Sequence, residues 1–289
     1  NATSGTTAQL KEKDPKPYKV DKDVPDLEYS AAQSGPIAEK GAGDTDAFAA
    51  NDVNQGALGD CWLLASLMAI ANTSPTVLKD AITGPKDDGS YDVKLYKKKG
   101  GLFSKTTYEA ETVNVQPTFV NRKDTGTLAY ARGGDTDAAG NEELWVKLIE
   151  KAYAKWKGSY KKLDGGFSEN ALEALTGQSF ENHSLRKGFL GLGSKTEAEI
   201  ATEIMDALKA GSPVTASTKS DGDIKSADKE EGGFAVANDI VGRHEYAVMR
   251  ADANGITLRN PWGMNAANDE PTLTWSQFKK FYSGYTSKE

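Results

Sequence analysis

Residues 55–71 read QGALGDCWLLASLMAIA and carry Cys61, the only cysteine of the 289-residue chain. Two glycines give this stretch a short opening loop, since glycine tolerates backbone angles that other residues resist. Residues 62–71 are apolar nearly all round, which predicts a helix buried on every face. Asp60 precedes that helix as a candidate N-cap, so we expect Cys61 in its first turn.

The position of Cys61 favours a reactive thiol. Unpaired N–H groups and the positive end of a helix both stabilise a thiolate, which is the nucleophilic form. Gln55 lies upstream with an amide that can donate to an oxyanion, and the Cys61 backbone N–H could complete the oxyanion hole. The alternative is an inert buried cysteine, which the glycine loop and the upstream glutamine make less attractive.

The composition fits a soluble globular protein with one large domain or two lobes. Hydrophobic residues make up 38% and charged residues 27%, and the net charge is −7. The acidic balance argues against nucleic acid and anionic membrane surfaces as partners. No apolar run reaches the roughly 18 residues that a bilayer crossing needs, so we predict no membrane span.

Residues 1–45 are polar and low in aliphatic side chains, so they should not fold alone. They are expected to be a linker, a tail or a segment laid across the body, and one hypothesis makes them an autoinhibitory pro-segment. The first residue is Asn, which suggests an excerpt or a processed form. No signal peptide is visible, and cytoplasmic and secreted locations both stay open.

The chain beyond residue 45 divides into a helical part and a strand-rich part. Periodic apolar residues predict helices over 142–156, 169–175, 196–210 and 277–282. Strands are predicted over 91–96, 106–115, 213–218, 234–241, 246–250, 256–259 and 273–275, and a loop over 219–233. We therefore expect an α+β fold, with a helical lobe over 46–182 and a β-rich lobe over 183–289.

A nucleophilic thiol needs a base, and His244 is the better of two candidates. His183 lies in a polar stretch that is typical of the surface, whereas His244 opens a strand. Asn260 ends the next strand, where its amide could accept from one imidazole nitrogen, and Trp262 could shield that bond. A tight turn at residues 254–255 would place Asn260 opposite Met249, so the contact needs a bulge or a wider turn.

These motifs resemble the protease core of the calpain family. The cysteine segment at 55–65 and RNPWG at 259–263 are similar to that family's cysteine and asparagine motifs. The agreement extends through ELW at 143–145, LIEKAYAK at 148–155, GSY at 158–160, LDGG at 163–166 and LTG at 175–177. Shorter matches occur at 117–118 and 124–128, and the resemblance runs from about residue 50 to about residue 285.

The resemblance implies a two-lobed, papain-like cysteine protease and endopeptidase activity on flexible protein segments. It makes Cys61 the nucleophile, His244 the base and later acid, and Asn260 the residue that orients the histidine. Gln55 would contribute to the oxyanion hole, and Trp262 would shield the pair. The expected partners are protein or peptide substrates, and the expected state is a monomer.

Calcium is the cofactor that the resemblance brings with it, although the chemistry itself needs none. Calpain cores bind one ion per lobe, and in the first lobe Asp52 and Glu143 fall at the carboxylate ligands. Carbonyls near residues 45–47 would complete the shell, which suits calcium. In the second lobe only Asp269 and Glu270 remain, so we expect that site to be lost.

Two other classes stay open. A transglutaminase-type acyltransferase would use the same Cys–His pair, although Gln55 and an asparagine at 260 favour hydrolysis. A non-catalytic interaction module with the calpain fold is the second alternative. Loss of activity in a Cys61→Ala variant and the chemistry of the products would separate these classes from a protease.

Overall fold

A computed structural model describes residues 14–20, 25–101, 104–185, 195–263 and 270–289. Its α-helices are α1 (Cys61–Thr73), α2 (Pro75–Lys79), α3 (Trp145–Lys157), α4 (Ser168–Thr176), α5 (Glu197–Lys209), α6 (Asp221–Asp228), α7 (Phe234–Ala237) and α8 (Trp275–Phe281). Its strands are β1 (Leu27–Tyr29), β2 (Ile82–Thr83), β3 (Tyr91–Gly101), β4 (Ser104–Val115), β5 (Val120–Arg122), β6 (Phe180–Ser184), β7 (Thr215–Thr218), β8 (Glu245–Ala251), β9 (Gly255–Arg259), β10 (Thr272–Thr274) and β11 (Tyr282–Lys288). Among the described residues, no helix combines the length and apolar character that a bilayer crossing requires.

Helix α1 lies at the centre of the first of two hydrophobic clusters. Every residue from Trp62 to Ala71 is buried, which confirms the helix predicted to be covered on all faces. The cluster also takes in the buried faces of α3, α4 and the β3–β4 hairpin. Helix α3 begins at Trp145, later than predicted, because the backbone before it pairs with the preceding loop: Glu142 bridges to Thr136, and the Glu143 N–H donates to the Asp135 carbonyl at 3.0 Å.

The second cluster is built on a six-stranded antiparallel sheet in the order β10-β9-β8-β7-β11-β6. Helix α5 and helix α8 supply apolar side chains to it, among them the fully buried Ile200, Ile204, Phe278 and Phe281. Strands and helices therefore contribute to both clusters, and the α+β class predicted from the sequence is confirmed.

The described part of the N-terminal segment lies across the first cluster. Strand β1 pairs antiparallel with β5, and the Tyr29 hydroxyl donates to the Pro15 carbonyl at 2.6 Å. Two buried lysines of α3 find partners there: Lys151 pairs with Asp14 at 2.9 Å, and Lys147 donates to the Gln33 amide oxygen at 3.1 Å. These residues therefore neutralise charge and satisfy hydrogen bonds inside the lobe.

Two predictions for residues 219–241 are wrong. The predicted loop contains α6, whose first turn is capped by the Ser220 hydroxyl accepting from the Asp223 N–H. The predicted strand over 234–241 is instead the short helix α7, whose Ala235 N–H donates to the Asp228 carboxylate at 2.6 Å. A short apolar run does not distinguish strand from helix by periodicity, and here the Asp228 carboxylate at the end of α6 accepts from the start of α7.

The predicted lobe boundary at 182/183 falls inside β6. Phe180 at the start of this strand belongs to the first cluster, and Leu185 just beyond its end belongs to the second. The strand itself pairs with β11 at the edge of the second sheet. The chain therefore crosses from the first cluster to the second along β6, and the predicted lobe boundary between residues 182 and 183 stays a prediction.

Candidate active site

A cavity of about 600 Å³ opens between the two clusters. Gln55 and Cys61 line it from the first, and His244 and Trp262 line it from the second. The remaining lining residues are Val20, Gly56, Ala57, Leu58, Gly59, Trp62, Asp164, Gly165, Gly166 and Arg243. Four of the residues predicted for catalysis thus share one cavity, and the fifth, Asn260, is hydrogen-bonded to His244.

The His244 ring is held by Asn260. Its Nε2 lies 2.8 Å from Asn260 Oδ1, and that oxygen also accepts from the Trp262 N–H at 3.0 Å. Both side chains are buried. Since Oδ1 can only accept, Nε2 carries a hydrogen, and the neutral ring keeps an acceptor at Nδ1. The indole of Trp262 lies 5.1 Å from the imidazole, measured between ring centroids.

A bulge in the β8–β9 hairpin makes this contact possible. The chain turns between Asp252 and Gly255, where the Asp252 N–H donates to the Gly255 carbonyl at 2.9 Å. The pairing then shifts by one residue between Val248 and Arg250. The tight turn at residues 254–255 is therefore not formed, and a bulge of the kind that the His–Asn contact required is present.

The backbone around His244 is fixed to β7. The His244 N–H donates to the Thr218 hydroxyl at 2.9 Å, and the Thr218 N–H donates to the His244 carbonyl at 2.9 Å. Arg243 before it adopts φ +53°, in the left-handed region that disfavours most side chains. The sharp turn places His244 immediately before β8, facing the cavity.

Cys61 opens α1 as predicted, but the Asp60 side chain does not cap the helix. The Asp60 carbonyl accepts from the Leu63 and Leu64 N–H groups, while its carboxylate is fully buried elsewhere. The prediction of a side-chain cap is therefore wrong. The carboxylate instead faces Gln55 Nε2, at 3.4 Å from Oδ1, and the carboxyl group of Glu150.

Burial governs the electrostatics of the pair. It raises the pKa of the Cys61 thiol to about 11, although the Glu245 and Trp62 backbone N–H groups donate to sulfur and oppose the rise. Burial also lowers the pKa of His244, against the bond to Asn260. The helix-end effect expected to favour thiolate is outweighed. Both groups are neutral in this arrangement, so a proton must move when a substrate is attacked.

Gln55 lies in the cavity wall with its amide turned into its own loop. Its Nε2 donates to the Leu58 carbonyl at 2.7 Å and reaches Asp60 Oδ1 at 3.4 Å. The Gln55 backbone N–H donates to the Pro261 carbonyl at 2.7 Å, which ties this loop to the asparagine motif. An oxyanion-hole role for the side chain therefore needs a rotation of the amide.

Glu245 was missed by sequence reasoning. It is 7% exposed, and its Oε2 accepts from the Ser217 hydroxyl at 2.5 Å. The hydroxyls of Ser168 and Thr215 face the same carboxylate, so it lies between α4 and β7. A charged residue inside an apolar strand and next to the candidate histidine is the pattern that could have found it.

The predicted metal ligand Asp52 lies in a carboxylate cluster. Asp44, Asp52 and Asp135 each offer an oxygen within 4.8 Å of the others. Asp52 Oδ1 and Asp135 Oδ2 are buried and have no hydrogen-bond partner among the described residues. No ion pair among those residues reaches the three carboxylates. Sequence reasoning missed Asp44 and Asp135, whose proximity depends on loops.

The other predicted ligand, Glu143, borders this cluster. Its Oε1 accepts from the Gly134 N–H at 2.9 Å, and its Oε2 accepts from the Glu39 N–H at 3.1 Å. Burial raises the pKa of Glu143 to about 7. Burial and the neighbouring Glu143 raise the pKa of Asp52 to about 8. Carboxyl groups that face no cation among the described residues are thus concentrated at this point of the first lobe.

The acidic residues considered in the second lobe differ. Glu270 pairs with Arg259 at 2.7 Å and with Arg250 at 3.7 Å. Asp269 lies outside the described residues. The Glu270 carboxylate is therefore neutralised by two arginines of the same lobe.

Comparisons with known proteins agree with the geometry. The sequence profile described as calpain family cysteine protease matches residues 42–283. Calpain clp-4 of Caenorhabditis elegans is 32% identical over 239 residues, which cover 78% of this chain and 30% of that protein. The calpain-1 catalytic subunit of Sus scrofa is 31% identical over 243 residues, which cover 81% of this chain and 30% of that protein. Calpain-B of Drosophila melanogaster is 26% identical over 277 residues, which cover 92% of this chain and 27% of that protein.

The chain thus spans at most about a third of the length of these relatives. Cys61, His244 and Asn260 all fall inside the range matched by the profile. The α+β architecture is that of a papain-like protease domain. By the extent of the profile match, this chain belongs to the calpain family of cysteine proteases.

Proposed function

We propose that this chain is a cysteine endopeptidase that cleaves flexible protein segments as a monomer. The observation that carries the proposal is the 2.8 Å contact of His244 Nε2 with Asn260 Oδ1, on a histidine that shares a cavity with Cys61. A held imidazole that shares a cavity with a thiol can serve as the base that nucleophilic acyl transfer requires. The cavity is open to solvent, which suits an extended polypeptide.

The reaction begins with a proton transfer from Cys61. Its sulfur attacks the scissile carbonyl carbon while the free nitrogen of His244 takes the thiol proton. The imidazolium then protonates the leaving amine as the C–N bond breaks and a thioester remains. Water gives a proton to His244 and attacks the thioester, which releases the acid and restores the thiol. Asn260 keeps the ring oriented throughout.

The oxyanion of each tetrahedral intermediate needs donors. As the first residue of α1, Cys61 has a backbone N–H without an intrahelical acceptor. The Gln55 amide lines the same cavity and would join it after rotating away from the Leu58 carbonyl. Trp262 covers the imidazole, so the developing charges are shielded from water.

Calcium fits the first-lobe cluster. Carboxylate oxygens are the donors that calcium prefers, and two of them are buried with no hydrogen-bond partner in the part of the chain that the structure describes. Asp52, Asp44 and Asp135, with Glu143 beside them and carbonyls near residues 45–47, would hold the ion. Bound calcium would supply positive charge that stabilises this lobe, and no step of hydrolysis passes through it. Calorimetric titration of a Cys61→Ala protein and of the same protein with Asp52→Asn measures this binding without activity.

Autoinhibition by the N-terminal segment is a further part of the proposal. Its support is Val20, which lines the same cavity as His244, Gly165 and Gly166. Trimming is a poor test, since the segment also supplies partners to Lys147 and Lys151. Val20→Gly is better, because an inhibitory contact predicts a lower KM for peptides, whereas an unchanged KM contradicts it.

The decisive experiment is cleavage of unfolded casein by this chain and by Cys61→Ala, each with excess calcium and with chelator. We expect new amino termini from the parent and none from the variant. Cross-linked products would support the transglutaminase-type alternative. Absence of turnover under all four conditions would support an interaction module.

A further inference from the structure

Two acidic side chains meet behind the cysteine loop. Asp60 directly precedes Cys61 and is 0% exposed, and Glu150 in the middle of α3 is 3% exposed. Their carboxyl groups lie within hydrogen-bonding reach of each other. No ion pair among the described residues reaches either of them. This pair takes no part in the reaction outlined above.

One carboxyl oxygen of this pair, Asp60 Oδ2, has no donor among the neighbouring N–H groups of the described residues. Glu150 Oε1 accepts from the Ala131 N–H at 3.2 Å, and Asp60 Oδ1 faces Gln55 Nε2 at 3.4 Å. Asp60 Oδ2 is buried and has no N–H or side-chain O–H donor among the described residues other than the Glu150 carboxyl. Ionised carboxylates only accept hydrogen bonds, so the bond between these two requires a proton.

The wider surroundings keep that proton in place. The titratable groups that face the pair are Asp164 and Cys61 on the Asp60 side, and Tyr29, Tyr130 and Tyr160 on the Glu150 side. All of these are acids, so none offers a positive charge to a second carboxylate. Burial, and then the neighbouring Asp60, raise the pKa of Glu150 well above its ordinary range.

We propose that Glu150 donates its proton to Asp60, and that this acid pair is a positioning device for Gln55 and the start of α1. The inference rests on the proposed function, since it concerns the groups that would stabilise the oxyanion. Asp60 touches the Gln55 amide and also sets the first backbone bonds of α1. Loss of the proton would leave two buried carboxylates in contact, and their repulsion would displace both elements.

The consequence for pH has a definite sign. Because burial raises the pKa of Glu150, the ordered state exists below that pKa and is lost as pH rises through it. Glu150→Gln cannot lose a proton, yet its amide can donate to Asp60 and accept from Ala131. Glu150→Ala removes the bond altogether. Glu173→Gln is the matched control, since Glu173 is 4% exposed but is bound by Lys98 and Tyr108.

The experiment measures kcat and KM of the full chain on a peptide substrate across pH. We expect Glu150→Gln to keep kcat within about 3-fold at neutral pH and to move the alkaline decline upward. Glu150→Ala should lower kcat by roughly 10- to 100-fold with KM nearly constant, as for loss of an oxyanion donor. Glu173→Gln should reproduce the parent profile. A Glu150→Gln profile that superimposes on the parent would overturn the proposal.

A second readout does not depend on activity. The infrared difference spectrum of the parent minus Glu150→Gln at neutral pH is expected to show the carbonyl stretch of a protonated carboxylic acid, because Asp52 and Glu143, whose pKa values are also raised, contribute equally to both proteins. Absence of this band from the difference spectrum would also overturn the acid pair. Failure of the proposed function would show itself differently, as an absence of Cys61-dependent cleavage while the band is still observed.

Discussion

The two lobes differ in where the partners of their charged groups come from. In the first lobe, Asp44, Asp52 and Asp135 face no cation among the described residues, and Lys151 pairs with Asp14 of the N-terminal segment. In the second lobe, Glu270 is paired with Arg259, and His244 is held by Asn260 from the neighbouring strand. For these charges the first lobe depends on groups outside its own core. The second lobe supplies the partners of Glu270 and His244 itself, while its buried Glu245 lies among hydroxyl groups.

This difference predicts which lobe responds to changes in solution conditions. Calcium, pH and the N-terminal segment should all affect the stability of the first lobe, which carries the candidate nucleophile. The second lobe should respond mainly to changes in its own residues. Four substitutions, ordered by the size of the expected effect, separate these two behaviours.

The largest effect is expected in the second lobe. Asn260→Ala removes the acceptor that orients His244, and we expect kcat to fall about 10²-fold or more while the fold is retained. Asn260→Asp keeps an acceptor oxygen and should recover part of the loss. Steady-state kinetics with circular dichroism tests this, and a kcat within 3-fold of the parent in Asn260→Ala would contradict it.

Calcium should act on the first lobe alone. At about 100 times Kd, a bound ion stabilises the folded state by about 2.7 kcal/mol. Because the pKa values of Asp52 and Glu143 are raised, chelated protein should lose stability as pH rises from about 4 towards 8. Thermal unfolding at pH 5 and pH 8, with chelator or calcium, measures both effects.

The Asp52→Asn variant is the control for that measurement. It should remove most of the calcium effect and flatten the pH dependence in chelator. The matched change in the second lobe, Glu270→Gln, should leave both unchanged. Equal responses to calcium in the parent and in Asp52→Asn would exclude this cluster as the binding site.

The dependence of Lys151 on the N-terminal segment should have an intermediate effect. Asp14→Ala removes its ionic partner, although the Thr118 hydroxyl and two backbone carbonyls remain. We expect the free energy of unfolding to fall by about 1–3 kcal/mol in denaturant titrations. Asp26→Ala on the same segment is the control. Asp26 pairs with Lys19 on the surface, and its loss should not be measurable.

The smallest effect belongs to Glu270. Its pairs with Arg259 and Arg250 are partly exposed to solvent, so Glu270→Gln should cost less than about 1 kcal/mol. Denaturant unfolding with and without calcium measures this value. A large calcium-dependent loss would mean that the second lobe also needs an external ion, and the contrast between the lobes would disappear.

Local patterns were sufficient for a good part of this fold. Residues 62–71 are apolar on every side, and such a run can only be buried, so α1 was predictable. Helix α5 was predictable for a similar reason, since its apolar face repeats at helical spacing and Thr196 supplies a capping box. The predictions for residues 219–241 failed because the short apolar run at 234–241 does not distinguish strand from helix, and the Asp228 carboxylate at the end of α6 accepts from the first N–H groups of α7.

The sequence by itself determined which side chains could do chemistry, because a lone cysteine after a glycine loop, a strand-end histidine and a following asparagine are few enough to single out. Only the tertiary structure decided how they are disposed. The bulge at residues 248–250 allows Asn260 to reach His244. The Asp60 carboxyl faces Glu150 and does not cap the helix.

The same holds for charge. Burial raises the pKa of Cys61 where the helix end alone favours thiolate, and two loops bring Asp44 and Asp135 to Asp52. Register, burial and the sum of neighbouring charges are properties of residues far apart in the chain. They are set by packing free energies that no local pattern records.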